Sequence, residues 1–173
     1  MSYSVSYDTL YKKDVQGFRV DKGSTREIRY KIPYASLIVI RINATYPVDL
    51  TMAGPHMEHL ELMGTREFKF NSNPGNELVI RFQGKSGFFA KPSDVTLEVE
   101  MYTSRDVIKI SEEIKSLLGT LKELGRDYYM LVKEHIQNVL TKMSSVWGLL
   151  DEETKSQARE LLSISKKFEE GKE

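Results

Sequence analysis

The apolar residues of this chain change their spacing once, near Thr103, and that change limits the folds open to it. Before this point they recur at every second residue, as in β-strands, whose successive side chains point to opposite faces of a sheet. After it they recur every three or four residues, as in an amphipathic helix. The sequence therefore predicts a segregated α+β protein, with a β domain over residues 1–103 and a helical arm over residues 104–173.

The β domain contains about eight short stretches with the character of strands, separated by turn-forming residues. The stretches are Tyr3–Tyr7, Phe18–Val20, Ile28–Ile32, Leu37–Ile42, Val48–Met52, Phe68–Phe70, Leu78–Phe82 and Val95–Met101. Most of them alternate polar with apolar residues, which is typical of a sheet with one solvated face. Leu37–Ile42 is almost continuously apolar, which predicts a central strand. Short strands at this spacing favour an antiparallel β-sandwich or jelly roll.

The helical arm opens with a regular apolar stripe. Its members step by three and four residues through three heptads: Val107, Ile110, Ile114, Leu117, Leu121, Leu124 and Tyr128. This pattern predicts a long coiled-coil-like helix that reaches about residues 143–147, with Gly119 and Gly125 as its weak points. The phase of the stripe shifts by four residues after Tyr128. A second helix over about residues 151–168 could fold back on the first as a helical hairpin.

Composition and charge remove several classes of function. The chain has no cysteine, which excludes disulfides, thiolate metal sites and cysteine nucleophiles. The 25 basic and 25 acidic residues are evenly spread, so neither part has the positive excess that nucleic-acid binding requires. The first ten residues do not resemble a signal peptide, and no apolar run approaches the length that crosses a bilayer. We therefore expect a cytoplasmic protein that binds no nucleic acid.

One cluster could support metal chemistry, but a solvated loop is the interpretation that the sequence favours. His56, His59 and Glu61 could supply two imidazoles and a carboxylate to a divalent ion. However, Gly54-Pro55 precedes them and favours a solvated loop, and in a strand the two histidines would face opposite ways. Glu98 and Glu100 share one face of a strand, where they are better explained as solvated residues than as an acid–base pair. The sequence therefore predicts no catalytic residue and no cofactor.

Two adjacent aromatic residues, Phe88 and Phe89, follow Gly87 in a predicted loop. Exposed aromatics at such a place can anchor a partner protein or a membrane surface. They can equally plug the end of the sandwich, so both alternatives stay open.

The later strands resemble those of GOLD-type β-sandwich domains. The resemblance rests on Phe68-Lys69-Phe70, Pro74-Gly75, Leu78–Phe82 and Val95–Val99, followed by the stripe that begins at Val107. In cargo receptors of the early secretory pathway, such a sandwich precedes a coiled coil. The resemblance implies a recognition domain for protein or lipid on a coiled-coil stem. It does not extend to membrane trafficking, because the signal peptide, disulfide and transmembrane helix of those receptors have no counterpart in this sequence.

Three functions compete on this basis. The first is a non-catalytic interaction or assembly module, in which the stripe of the arm binds a second copy or another protein and the β domain recognises a partner. The second is a carrier of a small apolar ligand or lipid, enclosed between the sheet and the arm. The third is a metal-dependent enzyme centred on His56, His59 and Glu61.

Overall fold

The computed structural model describes residues 6–171, which form six strands followed by three α-helices. The strands are β1 (Thr9–Val20), β2 (Thr25–Ile32), β3 (Ser36–Ala53), β4 (Glu58–Ser72), β5 (Asn76–Gly84) and β6 (Ser93–Thr103). The helices are α1 (Arg105–Leu124), α2 (Arg126–Val146) and α3 (Glu152–Glu169), with a short 3-10 turn at Trp147–Leu149. Contacts divide the chain into two compact units between Thr103 and Ser104. The predicted α+β class is confirmed.

All strand pairs in the β unit are antiparallel, and the strands form one curled half-barrel sheet. The order is β1-β6-β3-β5-β2, with β4 on the remaining side of β3. The first half of β3 pairs with β6 and its second half pairs with β5, while β4 follows β3 through both halves. β3 is therefore the strand that joins the two parts of the sheet.

β3 bends between these two halves at a bulge. Ala44 lies opposite Gly64 of β4, and Val48 lies opposite Leu62, so residues 45–47 face a single residue of the partner strand. Extra residues of this kind bend a strand and increase its twist. The bulge allows one strand of 18 residues to belong to both parts of the curled sheet.

The concave side of the sheet is filled with apolar side chains. The largest of those with under 2% exposure are Phe82, Ile32, Ile38, Ile40, Ile42, Leu50, Met52, Leu78, Ile80, Leu97 and Met101. They come from alternate positions of their strands, which explains the period of two in the sequence. The side chains pack against one another as one hydrophobic core.

The described residues contain six strands and not the predicted eight or so, because β3 was predicted as two strands and the first predicted stretch ends before β1. Leu37–Ile42 and Val48–Met52 are two halves of β3, separated by its bulge. Phe18–Val20 is the end of β1, and Phe68–Phe70 belongs to β4. In the first stretch, Tyr3 and Val5 lie outside the described residues, and Tyr7 precedes β1. A sandwich of two separate sheets stays a prediction.

The helical unit corrects the predicted long helix to two shorter ones. α1 ends at Gly125, whose φ of 74° lies in the left-handed region that glycine adopts most easily. Its N–H group donates a hydrogen bond to the carbonyl of Leu121 at 2.8 Å, which closes the last turn. The shift in the apolar stripe near Tyr128 therefore marks the start of a second helix and not a stutter in one coiled coil.

Contacts between the helices define an up-down-up arrangement. Ser111 bonds Thr154 and Lys122 pairs with Glu160, so α1 and α3 run in the same direction. Tyr129, near the start of α2, donates to Glu169 at the end of α3, so these two helices are antiparallel. The predicted second helix is α3. No helix within residues 6–171 is long and apolar enough to cross a membrane.

The apolar stripe of α1 should behave as a core. Ile114 is fully buried, whereas Leu131 on α2 is 84% exposed. We expect Ile114→Ala to lower the free energy of unfolding by about 2–5 kcal/mol, because it removes buried methyl groups and leaves a cavity. Leu131→Ala is the matched control and should change it by less than about 0.5 kcal/mol. Urea unfolding measures both, and equal small effects would show that the stripe is not a core.

Candidate interaction site

The loop between β5 and β6, residues 85–92, carries the two phenylalanines in a defined turn. The N–H group of Ala90 donates a hydrogen bond to the carbonyl of Gly87 at 3.3 Å, so Phe88 and Phe89 are the central residues of a β-turn. Gly87 has a φ of 117°, which side-chain-bearing residues rarely adopt. The turn therefore directs both aromatic side chains from the tip of the loop.

Both phenylalanine rings face solvent. Phe88 is 91% exposed and Phe89 is 89% exposed, whereas Phe82 in the preceding strand is fully buried. The two rings meet edge to face with their centroids 5.2 Å apart, an arrangement that aromatic pairs prefer. Of the two alternatives for this pair, the structure excludes the plug, because the rings do not fill the end of the sheet.

The bulge of β3 holds one end of this loop. The Ser93 hydroxyl donates to the carbonyl of Tyr46 at 2.7 Å, and it accepts the N–H of Tyr46 at 3.1 Å. The N–H of Asp94 donates to the Thr45 hydroxyl at 2.8 Å. Lys91 lies over the Tyr46 ring, with its Nζ 5.2 Å from the ring centroid. The backbone groups that the bulge removes from the strand ladder thus bind the start of β6.

The turn between β1 and β2 holds the other end. The N–H of Gly84 donates to the carbonyl of Ser24 at 2.8 Å, and the N–H of Gly23 donates to the carbonyl of Lys85 at 3.2 Å. The Lys85 ammonium lies 2.8 Å from carboxylate oxygens of both Asp49 and Glu61. The hydrogen bonds from the Lys85 ammonium to the carboxylates of Asp49 and Glu61 raise the pKa of Lys85, so its side chain stays charged.

A shallow cleft of about 230 Å³ lies at the foot of the phenylalanine pair. Its walls are Tyr46, Pro47, Lys85, Phe89, Ala90 and Lys91. The loop therefore combines an aromatic tip with a polar base. Protein interfaces have a similar distribution, with apolar residues at the centre and polar residues at the rim. The sequence did not single out Tyr46, because only the bulge brings it beside the loop, where its ring lies under Lys91.

The predicted metal cluster does not assemble. His56 stacks on Phe70 with their ring centroids 4.9 Å apart, and its Nε2 lies 3.1 Å from Glu58. His59 lies in β4, where its Nδ1 bonds the hydroxyl of Thr51, and Glu61 pairs with Lys85. Throughout residues 6–171, no three His, Cys, Asp or Glu side chains are placed to share a metal ion. The predicted solvated loop is also wrong from Glu58 onward, because β4 begins there.

Glu98 and Glu100 belong to a network of charges on the outer face of the sheet. Arg41 bonds Glu100 and also approaches Glu98, while Tyr102 donates to Glu100 at 2.7 Å. The hydrogen bond from Tyr102, together with Arg41, lowers the pKa of Glu100. Glu100 is less solvated than predicted, with 8% exposure, but its bonds stabilise a carboxylate and give it no acid–base partner.

Most residues of the predicted interaction stripe of the arm are already buried within one chain. Val107, Ile110, Ile114, Leu117 and Leu121 are buried, and Tyr128 is partly buried. Leu124, beside the break at Gly125, is 58% exposed. Association of two copies through this stripe stays a prediction, and of its members Leu124 offers the most exposed surface.

Comparisons with known proteins add no functional information. No family model matches the chain, and no curated protein matches it. A de novo designed double-stranded β-helix is 16% identical, with a TM-score of 0.35, over 51% of this chain and 97% of the other. The periplasmic g-type lysozyme inhibitor PliG of Aeromonas hydrophila is 8% identical, with a TM-score of 0.41, over 57% and 92%. A family 35 carbohydrate-binding module of Clostridium thermocellum is 15% identical, with a TM-score of 0.31, over 53% and 95%.

The base of the loop should tolerate no side chain at Gly84. A Cβ atom there would lie 2.1 Å from the carbonyl oxygen of Asp21, whereas one at Gly119 in α1 would touch nothing within 4 Å. We expect Gly84→Ala to destabilise the protein by about 1–3 kcal/mol, because backbone would have to move. Gly119→Ala should stabilise it by about 1 kcal/mol through helix propensity. Thermal unfolding of the two variants distinguishes these opposite signs.

The phenylalanine pair should contribute little to folding. We expect the double variant Phe88→Ser/Phe89→Ser to change the free energy of unfolding by less than about 0.5 kcal/mol, since both rings are exposed. Phe82→Ala, in the core of the same unit, should cost about 3–5 kcal/mol. Urea unfolding tests both. A large loss in the double variant would mean that the rings are packed in solution.

Proposed function

We propose that this chain is a non-catalytic protein-interaction module whose β unit inserts Phe88 and Phe89 into an apolar pocket of a partner protein. The observation that carries the proposal is the roughly 90% exposure of two adjacent aromatic side chains at the tip of a hydrogen-bonded loop. Large aromatic residues dominate the binding energy of many interfaces, and exposing two together is unfavourable in an isolated protein.

The way the loop is held supports this proposal. Ser93 and Asp94 tie one end to the bulge of β3, and Gly84 and Lys85 tie the other end to the turn that follows β1. A loop that is already ordered loses little conformational freedom when it binds, so more of the contact energy remains as affinity. The tip thus presents a preformed anchor.

The charges around the tip favour a protein partner over an anionic membrane. A membrane-binding loop relies on basic residues whose charge is not compensated. Here Lys85 pairs with both Asp49 and Glu61, Lys91 lies over the Tyr46 ring, and Asp94 follows the loop. The rim therefore carries both signs of charge, which suits a polar protein surface around an apolar pocket.

The other hypotheses have weaker support. The carrier hypothesis requires an apolar cavity, whereas the concave side of the sheet is filled by its own side chains. The metal-enzyme hypothesis requires His56, His59 and Glu61 to converge, and each has a different partner. The resemblance to GOLD domains stays a hypothesis about shape. The Phe88–Phe89 loop connects β5 and β6, two of the strands on which this resemblance rests.

A photocrosslinking residue at position 88 should identify the partner. The same residue at Met57, which is 72% exposed but belongs to a different loop, is the control. We expect a protein from the source cells to crosslink at position 88 and not at position 57. Capture alone does not establish the interaction, so the captured protein must then be purified and titrated.

In that titration, the double variant Phe88→Ser/Phe89→Ser should bind at least about 30-fold more weakly than the native chain, because an aromatic anchor contributes about 2 kcal/mol or more and each step of about 1.4 kcal/mol is a factor of ten. Leu131→Ser, an exposed change in the helical unit, should leave affinity unchanged. Equal affinity of the native chain and the double variant would contradict the proposal. So would binding of the native chain, but not of the double variant, to phosphatidylcholine–phosphatidylserine vesicles.

A further inference from the structure

β4 keeps an unpaired edge over a regular segment. β4 pairs with β3 along one side, and no other described strand pairs with its second side. From Thr65 to Ser72 its register with β3 has no bulge or shift. The outward side chains of this segment are exposed, including Glu67 at 41% and Lys69 at 61%. Such an edge presents unpaired backbone groups to another strand.

The sequence of this segment is complementary to itself. If two copies pair antiparallel with Phe68 opposite Phe68, then Glu67 of each copy lies opposite Lys69 of the other. On the same face Thr65 lies opposite Asn71, two side chains that can exchange a hydrogen bond. On the other face Arg66 lies opposite Phe70, a cation beside an aromatic ring. Directly opposed residues are the neighbours that stabilise a sheet, and all of these pairs are favourable.

Neighbouring registers lack this complementarity. A shift by two positions in either direction places Glu67 opposite Glu67 or Lys69 opposite Lys69, and like charges directly opposite are unfavourable. A shift by one position would place residues from the buried face of one copy opposite residues from the solvated face of the other. The pairing centred on Phe68 is therefore the register that the side chains specify.

The other unpaired edges, those of β1 and β2, are less suitable. On β2, Tyr30 donates to Asp14 of β1. Arg26 of β2 lies over the Phe18 ring of β1, so side chains of β1 already contact this strand. β1 has a bulge between Leu10 and Lys12, and its exposed charges Lys13 and Arg19 have the same sign. Pairing of β1 with β4 of another copy would also generate an open chain of molecules, whereas pairing of β4 with itself closes after two. The complementarity of β4 thus favours a dimer with twofold symmetry.

We propose that β4 pairs antiparallel with β4 of a second copy over residues 65–71, with Phe68 on the twofold axis, so that the two sheets become continuous. This surface is separate from the Phe88–Phe89 loop, so the proposal does not depend on the proposed function. A dimer of this kind carries the aromatic anchor twice. A partner with two suitable sites would then bind with higher avidity than one loop provides.

The full-length chain and two charge variants test the pairing. Glu67→Lys places two lysines opposite each other on either side of the twofold axis, and Lys69→Glu places two glutamates there. Light scattering and sedimentation should show a dimer for the native chain and a dimer dissociation constant at least about tenfold higher for each variant. Lys31→Glu, an exposed change on β2, is the matched control and should leave the dimer unchanged.

Mixing the two charge variants provides the decisive measurement. Each lysine of one variant then faces a glutamate of the other, so a one-to-one heterodimer should form with nearly native affinity. An effect confined to one chain, such as the loss of the Arg41–Glu67 or Glu67–Lys69 ion pair, cannot be restored in this way. Circular dichroism confirms that both variants remain folded.

Three results would overturn the proposal. The first is a native chain that stays monomeric up to about millimolar concentration. The second is a native dimer that neither charge variant weakens, which would place the interface elsewhere, for example on the helices. The third is a mixture of the two variants that forms no heterodimer although both are folded.

Discussion

The bulge of β3 is the constraint on which the rest of the β unit depends. Without residues 45–47, β3 would continue straight. Two separate strands would then be needed to pair with β6 and with β5. With them, β5 ends opposite Val48 and β6 begins beside Ala44, so the loop between them leaves the sheet at the bend. The N–H and carbonyl groups of Tyr46 in the bulge bond the Ser93 hydroxyl, and the Thr45 hydroxyl accepts the N–H of Asp94. One irregularity therefore curves the sheet and fixes the candidate site.

The same bulge is a part of the β unit that the sequence did not predict. The alternation of Leu78–Phe82 and Val95–Met101 reflects burial of every second side chain, so the sequence predicts these strands directly. Tyr46 and Pro47 interrupt the pattern inside β3, and an interruption resembles a turn when only local residues are considered. Whether the chain turns or bulges depends on what lies opposite, here Met63 of β4, and that partner is distant in the sequence.

The helical arm illustrates a different limit. Its stripe correctly predicts a buried face, because Val107, Ile114 and Leu121 are all nearly inaccessible. Spacing alone does not tell whether the face is covered by a second copy or by the same chain. The shift of the apolar stripe after Tyr128 indicates that a new helix has begun. A helix that starts again after Gly125 turns its apolar face in a different direction from that of the helix before it. Gly125, three residues before Tyr128, thus indicates a break between two helices and not a stutter in one.

The direction of the Phe88–Phe89 pair could not be predicted for a related reason. The sequence places two aromatic residues after a glycine, but burial or exposure depends on the left-handed φ of Gly87 and on the hydrogen bond that closes the turn. The core beneath is complete without these rings, since Phe82, Leu50 and Leu97 already fill the space between the strands. The stability of the β unit therefore does not account for two exposed phenylalanines at this position. Since the arm covers most of its own apolar stripe, the most exposed aromatic surface of the described chain lies on this loop, and this is the surface that the proposed interaction uses.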